Sequence, residues 1–266
     1  MAHVNRLHNA RVLVFGGTSG IGFGVANMAL SNGAFVTISG STQDKVDRKV
    51  DELRSFYPNL LASHVSGQAC DLSDLQSLEA NLTALFDKVT ENGTNKLDHI
   101  AFCAGDALYM PKITELTAEG AFDGFKVRWL STGLIGKLLA TGKYMPQSAS
   151  SSFTVTSGTN TTKPGVGWSL GASWGAACEA ISRGLAVELN PIRVNCVSPG
   201  AIQTPLFQQF VDAVGVEVAE KAKASYSLLG TWGNVEDIAE AYGWFMKDQY
   251  ATGTLANCDG GRILAG

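Results

Sequence analysis

The sequence predicts an α/β protein: a single domain with a doubly wound, mostly parallel sheet of seven strands. Short apolar runs rich in β-branched residues alternate with longer segments of helical periodicity along nearly the whole chain. The first apolar run, Val12 to Phe15, ends in glycines and leads directly into a helical segment. Such alternation is typical of a parallel sheet that right-handed crossovers cover with helices on both faces. At 266 residues, the chain fits one large domain over residues 1–266 better than two small ones.

The apolar runs that predict strands are residues 12–15, 34–39, 61–65, 97–104, 152–157, 192–197 and 255–258. The segments with apolar residues at helical spacing are residues 24–30, 44–56, 73–90, 118–142 and 172–189. We expect Ser73 to cap the third helix, with Leu75 on its inward face. In the fourth helix, Phe122, Phe125 and Trp129 share one face, which we expect to point inward.

Composition excludes several classes of protein and of partner. The net charge is −4 without a basic block, so neither nucleic acid nor an anionic membrane is expected as a partner. No apolar run reaches the roughly 18–20 residues that span a bilayer, and residues 1–8 lack the apolar core of a signal peptide. The five cysteines never show C-x-x-C spacing, which favours free thiols and a cytoplasmic location. The four histidines show no ligand spacing, so no metal site is predicted.

The glycine-rich turn after the first strand carries the first functional prediction. Gly16, Gly20 and Gly22 are spaced G-x3-G-x-G, with Thr18, Ser19 and Ile21 between them. Glycine at these points lets the backbone turn sharply, approach a pyrophosphate and pack the helix close to the strand. The helix then directs its free N–H groups and positive dipole end at the phosphates. The turn therefore predicts nucleotide binding, with an ordinary structural turn as the alternative.

The end of the second predicted strand indicates which dinucleotide binds. No Asp or Glu stands there to accept the ribose 2′-hydroxyl, whereas Ser41 and Thr42 offer hydroxyl groups and Lys45 a positive charge. These groups suit a 2′-phosphate, which predicts NADP(H) as the cofactor. In the alternative interpretation, Asp44 and Lys45 only begin a solvated helix.

Several segments together resemble the short-chain dehydrogenase/reductase family across nearly the whole chain. The matching positions are the motif from Gly16 to Gly22, Asp71-Leu72, Ala104-Gly105, Pro199-Gly200 in residues 192–200, Thr204 and Asp259-Gly260-Gly261. The resemblance implies a Rossmann fold, adenine contacts at Asp71-Leu72 and nicotinamide contacts at Pro199-Gly200 and Thr204. It departs at Phe102 and Cys103, which stand where the family has two asparagines before Ala-Gly.

The resemblance breaks at the catalytic residues. The family uses Asn, Ser, Tyr and Lys, in which Tyr exchanges the carbonyl proton and Lys lowers its pKa. Aligned on residues 185–189, the Tyr and Lys fall on Gly171 and Gly175, the Ser on Gly158 and the Asn on Arg128. Glycine carries neither a proton nor a charge, so we expect that the usual proton relay cannot operate.

Three hypotheses remain open. The first is a reductase of specialised metabolism, in which NADPH delivers hydride to an iminium or activated carbonyl of a bulky aromatic substrate by positioning and electrostatics. The second is a non-redox cyclase or isomerase, and the third is a catalytically inactive NADP(H)-binding module. We favour the first. An insertion at residues 199–236, rich in Phe, Val and Ala, is expected to form mobile helices over the substrate.

A divergent fungal branch of the family shows a similar glycine-rich replacement of the Tyr and Lys. Its members reduce a zwitterionic iminium with NADPH and guide an intramolecular Diels–Alder reaction in bicyclic indole alkaloids. This chain resembles them in Lys163-Pro164 and Gly167-Trp168, and has Gly165 where they carry Asp. The resemblance implies an indole-alkaloid-like substrate, and cyclisation alongside reduction is kept as an alternative.

Four residues are candidates for catalysis. Arg128 could hold a substrate oxygen or stabilise negative charge, and Asp106 could balance an iminium charge or donate a proton. Trp168 could stack on an aromatic substrate, and Ser157 could donate a hydrogen bond. The structural alternatives are an ion-paired arginine, a turn-forming Asp, a packed indole and a strand-end cap. The family commonly forms dimers or tetramers, and the small residues from Gly171 to Ala177 are compatible with such a homo-oligomer.

Overall fold

Seven parallel strands form one sheet in the order β3-β2-β1-β4-β5-β6-β7. The structure is a computed structural model that describes residues 2–105 and 112–265. The strands are β1 (Arg11–Phe15), β2 (Phe35–Gly40), β3 (Val65–Ala69), β4 (His99–Phe102), β5 (Ser152–Thr156), β6 (Arg193–Pro199) and β7 (Leu255–Cys258). Every neighbouring pair is parallel, which confirms the predicted doubly wound sheet.

Helices cover both faces of this sheet. They are α1 (Gly20–Ser31), α2 (Gln43–Phe56), α3 (Leu78–Val89), α4 (Arg128–Ala140), α5 (Ser169–Glu188), α6 (Pro205–Val214), α7 (Val216–Tyr226) and α8 (Val235–Lys247). Apolar residues of α1, α2 and α8 form one core cluster with the sheet, and those of α3, α4 and α5 form the other. No helix in the described part of the chain is both long and apolar enough to cross a membrane.

The central strands are buried on both sides because helices cover both faces of the sheet. All four residues of β4 and all five of β5 are buried. Phe15 of β1 lies against Phe102 of β4, with ring centroids 5.3 Å apart. The strand order reverses at β1, which lies between β2 and β4. In such a sheet, the ligand crevice opens at the reversal, between the carboxyl ends of β1 and β4.

The third strand and third helix start later than the sequence predicts. Residues 62–64 form a 3₁₀ turn, so β3 begins at Val65 and the strand predicted at 61–65 is wrong. Ser73 does not cap a helix, because its hydroxyl donates to the Asp71 carboxylate at 2.6 Å and α3 begins only at Leu78. Leu75 is therefore in a turn and is 46% exposed, not inward-facing.

The prediction of one long helix over residues 118–142 is also wrong. Residues 120–125 form a 3₁₀ helix, and the α-helix α4 starts at Arg128. The Trp174 indole lies directly against Gly124, where any Cβ atom would overlap it, and donates its N–H to the Ala121 carbonyl at 3.1 Å. Phe122 and Trp129 are 64% and 39% exposed, so neither points into the core.

The buried ring of Phe153 in the middle of β5 tests the packing of the sheet. Phe153→Ala should lower the free energy of unfolding by about 3–5 kcal/mol, because it leaves a cavity in a fully buried strand. Leu61→Ala, at a side chain that is 71% exposed, should change it by no more than about 0.5 kcal/mol. Urea unfolding followed by circular dichroism measures both, and equal effects would contradict the described core.

Candidate cofactor and substrate site

The turn between β1 and α1 lies against the end of β4. Gly16 has a φ of 71°, and a Cβ atom there would lie 2.7 Å from the Ala104 backbone nitrogen. A Cβ atom on Gly22 would overlap the Gly16 carbonyl oxygen. Both positions therefore require glycine, and the contact brings Ala104 and Gly105 to the mouth of the crevice.

The start of α1 fits the pyrophosphate of a dinucleotide. Its first turn holds no acidic residue, and the Ser19 side chain makes no capping hydrogen bond, so no side chain of this turn neutralises the positive helix end. Thr18 is buried, and its methyl group would lie 2.6 Å from a Cβ atom on Gly40, which ties the turn to β2. Ile21 packs against the core below.

The proposed adenine side of the site lies beyond β2 and β3. Ser41, Thr42 and Lys45 are all exposed at the start of α2. Leu72 is buried, whereas Asp71 is exposed and accepts hydrogen bonds from the Ser73 hydroxyl and backbone N–H. The Ser73 hydroxyl and N–H lower the pKa of the Asp71 carboxyl, which favours its charged form.

The proposed nicotinamide side lies at the end of β6. Pro199 ends the strand, and Gly200 packs so closely on Asp259 that a Cβ atom would lie 2.9 Å from its Cα. Thr204 caps α6 by accepting the Phe207 N–H at 3.2 Å. The Thr204 methyl also lies 3.1 Å from the Cβ position of Gly20, so the starts of α6 and α1 meet.

Arg128, the first residue of α4, reaches the same crevice. Its Nε donates to the Ala104 carbonyl at 3.4 Å, and its guanidinium occupies the space that a Cβ atom on Gly105 would need. Among the described residues, no carboxylate lies within 4.0 Å of this guanidinium. The structural alternative of an ion-paired arginine is not observed there, so its remaining N–H groups are free to meet a ligand oxygen.

Gly158 and Gly175, the predicted counterparts of the family's Ser and Lys, lie in two different environments. A Cβ atom on Gly158 would have only the Pro199 carbonyl oxygen within 4 Å, at 3.8 Å, so the space beside it is open. At Gly175 the space is filled, because a Cβ atom would lie 2.7 Å from the Thr161 methyl group. Thr161 therefore stands where a lysine stem would start.

A carboxylate that the sequence did not point to lies beneath these positions. Glu179 is 9% exposed, and its Oε1 accepts the Ser157 hydroxyl at 2.9 Å and the Thr161 hydroxyl at 2.7 Å. Ser157 therefore donates to a protein group and is not a simple strand-end cap. The available signal was spacing, because Glu179 follows Gly175 by four residues and Gly171 by eight on one helix face.

The loop after β5 is fastened to the C-terminal segment. The Lys163 ammonium donates to the Arg262 carbonyl at 3.2 Å and to the Ala265 carbonyl. The Arg262 guanidinium lies 4.8 Å from the centre of the Tyr226 ring and donates to Asn160 at 2.8 Å. Burial raises the pKa of Tyr226, and the Arg262 charge opposes that shift.

Trp168 lies at the start of α5, half-buried, with its backbone N–H bonded to the Gly165 carbonyl at 3.1 Å. Its indole Cδ1 lies 3.4 Å from the Cβ position of Gly165, so the indole packs on this turn. Asp106, the remaining catalytic candidate, lies outside the described residues.

The cysteine thiols near the crevice are held in their neutral form. Burial raises the pKa of Cys103 to about 11 and that of Cys196 to about 12. Thiolates are the reactive form of cysteine, so neither residue is suited to nucleophilic chemistry near neutral pH. No group of His, Cys, Asp and Glu able to hold a metal ion occurs within residues 2–105 and 112–265.

The fold and the glycine turn define a dinucleotide-binding domain, and comparison with known proteins identifies its family. Residues 3–265 match the SDR-like Rossmann domain family. The chain therefore belongs to the short-chain dehydrogenase/reductase family.

Individual members of the family are similar to this chain over nearly its whole length. The short-chain dehydrogenase/reductase malC of Malbranchea aurantiaca is 37% identical over 97% of this chain and 96% of its own. The solved MalC reductase/Diels–Alderase from that fungus superposes with a TM-score of 0.90 at 37% identity, covering 98% of both chains. The short-chain dehydrogenase/reductase fsr5 of Gibberella fujikuroi is 36% identical over 99% of this chain and 98% of its own. A small-chain dehydrogenase solved in complex with NADPH has a TM-score of 0.74 at 26% identity, over 97% of this chain and all of its own.

The glycine turn yields a direct test. Gly22→Ala should weaken NADPH binding by about tenfold to a hundredfold, because the new methyl group pushes the Gly16 carbonyl out of the cradle. Gly184→Ala is the matched control, since a Cβ atom there meets nothing within 4 Å. Isothermal titration calorimetry with NADPH compares the three proteins. Unchanged binding by Gly22→Ala would remove this turn from the cofactor site.

Proposed function

We propose that this protein is an NADPH-dependent reductase of specialised metabolism. Its substrate would be bulky, aromatic and indole-alkaloid-like, and hydride would reach an iminium or activated carbonyl carbon without a tyrosine–lysine relay. The observation that carries the proposal is the pairing of a glycine cradle that fits a dinucleotide with glycines at the positions aligned with Ser, Tyr and Lys. The similarity to fungal short-chain dehydrogenase/reductases supports the reductase class.

The reaction is chemically complete without a protein acid when the electrophile is an iminium ion. NADPH, when bound, supplies a hydride that forms the new C–H bond, while the C=N π electrons move to nitrogen and leave a neutral amine. No proton is transferred in this step. The protein has to hold the reacting carbon near the nicotinamide side, marked by Pro199, Gly200 and Thr204, and exclude water.

Arg128 is the residue we assign to substrate orientation. Its guanidinium overlies Gly105 at the end of β4, adjacent to the cofactor turn, and has no carboxylate partner among the described side chains. Its free N–H groups would hold a substrate oxygen. Trp168 is assigned to stacking on the aromatic part, with Asp106 kept as a candidate counter-charge.

The surroundings of the crevice support a large aromatic substrate. The Phe125 and Trp129 rings pack edge to face with centroids 5.9 Å apart, and Phe122, beside them, is mostly exposed. Helices α6 and α7 occupy the insertion at 199–236, and α6 buries none of its residues. We assign α6 and α7 to substrate coverage.

Ser41, Thr42 and Lys45 support NADP(H) over NAD(H), since all three are exposed beside the end of β2. The relative solved with NADPH supports the same choice. We further propose a cytoplasmic homo-oligomer, a dimer or tetramer, because α5 carries the small residues from Gly171 to Ala177 and exposes the apolar side chain of Val187.

One second function is favoured by a specific observation. The relative with a TM-score of 0.90 is named as a reductase/Diels–Alderase, so reduction followed by intramolecular cyclisation on this scaffold is the alternative. A non-redox cyclase or an inactive binding module would leave NADPH unconsumed.

Deuterium transfer tests the proposal. NADPH deuterated at C4 should pass its label to an aromatic iminium, with NADH giving slower turnover. Arg128→Ala should lower kcat/KM about a hundredfold while NADPH affinity stays unchanged, because the arginine holds substrate and not cofactor. Lys137→Ala, an exposed position on the same helix, is the control. Conversion of substrate without label transfer would favour the cyclase, and no conversion at all would favour the binding module.

A further inference from the structure

We infer that Glu179 is a positioning residue that makes this site select a cationic electrophile over a neutral carbonyl. It orients the Ser157 and Thr161 hydroxyls and adds a buried negative charge. The inference rests on the proposed function, since it concerns the electrophile that the reductase would accept.

The Ser157 and Thr161 hydroxyls both donate to the Glu179 carboxylate. Each hydroxyl has one proton, and both Ser157 and Thr161 give theirs to Oε1 of Glu179, at 2.9 and 2.7 Å. Their oxygens can then offer only lone pairs to another group. A carbonyl reductase needs the opposite, a hydroxyl that donates to the substrate oxygen. Bonds to a carboxylate are among the stronger ones, so these protons are not readily released.

Ser157, Thr161 and Glu179 lie beside the positions aligned with the family's Ser and Lys. Ser157 precedes Gly158, the position aligned with the family's Ser, and the Thr161 methyl occupies the space beside Gly175, the position aligned with its Lys. Glu179 lies one turn further along α5. In this corner of the crevice, the side chains thus offer acceptors and a carboxylate, where the aligned family positions would offer a donor and a cation.

The carboxylate of Glu179 has no ion-pair partner within the described part of the chain. Glu179 is 9% exposed, and among the described residues no Lys, Arg or His nitrogen lies within 4.0 Å of its carboxylate. A buried charge is costly unless it is paired. We assign the cation to the space beside Gly158, where a Cβ atom would meet only the Pro199 carbonyl oxygen, at 3.8 Å. Arg128 approaches from the β4 side and serves a substrate oxygen instead.

A pair of isosteric probes tests the inference by equilibrium binding. N-methylquinolinium is the cation and 1-methylnaphthalene its neutral counterpart, titrated against the protein alone and with NADP⁺. The wild type should bind the cation about tenfold more tightly. Glu179→Gln should remove that preference, because the amide loses the charge and can donate to Ser157. Affinity for the neutral probe should stay within about twofold, since its binding does not involve the charge.

Glu188→Gln, an exposed position at the end of the same helix, should leave both affinities unchanged. Equal affinity of the wild type for the two probes would overturn the inference, and this comparison needs no variant. An equal loss of affinity for both probes in Glu179→Gln would also overturn the inference, since it would indicate only a packing role for Glu179. Thr161→Val, which keeps the carboxylate, should retain the preference for the cation even if Glu179→Gln does not fold.

Failure of the proposed function can be distinguished from failure of this inference about Glu179. It appears as NADPH that is not consumed with any iminium, while the preference for the cationic probe persists. Failure of this inference appears as probe binding without charge preference in a protein that does oxidise NADPH.

Discussion

The contact between the glycine turn and the end of β4 is the constraint on which the rest of the site depends. Gly16 lies so close to Ala104 that no side chain fits at this position, and its φ of 71° excludes most other residues. This contact closes the floor of the crevice between β1 and β4. It also sets Gly105 at the mouth, and only a glycine there leaves room for the Arg128 guanidinium. One backbone approach therefore positions both the cofactor cradle and the proposed substrate-binding arginine.

The two halves of the crevice, the proposed cofactor side and the side that holds Gly158 and Gly175, differ in how closely their residues match the family's motifs. The half that we propose for the cofactor has the close backbone turn at Gly16 and an α1 start without an acidic or capping side chain. The opposite half has glycine at the aligned acid–base positions, and Thr161, Ser157 and Glu179 form a hydrogen-bonded unit there. Such a division is consistent with an enzyme in which the cofactor supplies the chemistry and the protein supplies orientation and electrostatics. Loss of all function would not be expected to leave the cradle intact.

Much of the fold was predictable from the sequence because buried parallel strands have a strong apolar signal. The predicted β1 and β7 match closely, whereas β3 has the polar edge sequence Val65-Ser-Gly-Gln-Ala and was placed four residues early. The break before α4 depends on Trp174, a contact between distant segments that local periodicity does not contain. Glu179 resembled an ordinary helix-surface carboxylate, since its burial arises only when Ser157 and Thr161 fold over it. The roles of the predicted site residues stay predictions.

The dependence of hydride transfer on pH tests the central claim most directly. An iminium without an N–H has no nitrogen-bound proton to lose, so a reductase without an acid–base relay should show a constant kcat/KM, referred to the concentration of the iminium form, from about pH 6 to pH 9. The rate should also be equal in H₂O and D₂O. A kcat/KM that falls tenfold per pH unit above a single pKa, together with a solvent isotope effect, would show that a protein acid donates in the rate-limiting step, and would contradict the account.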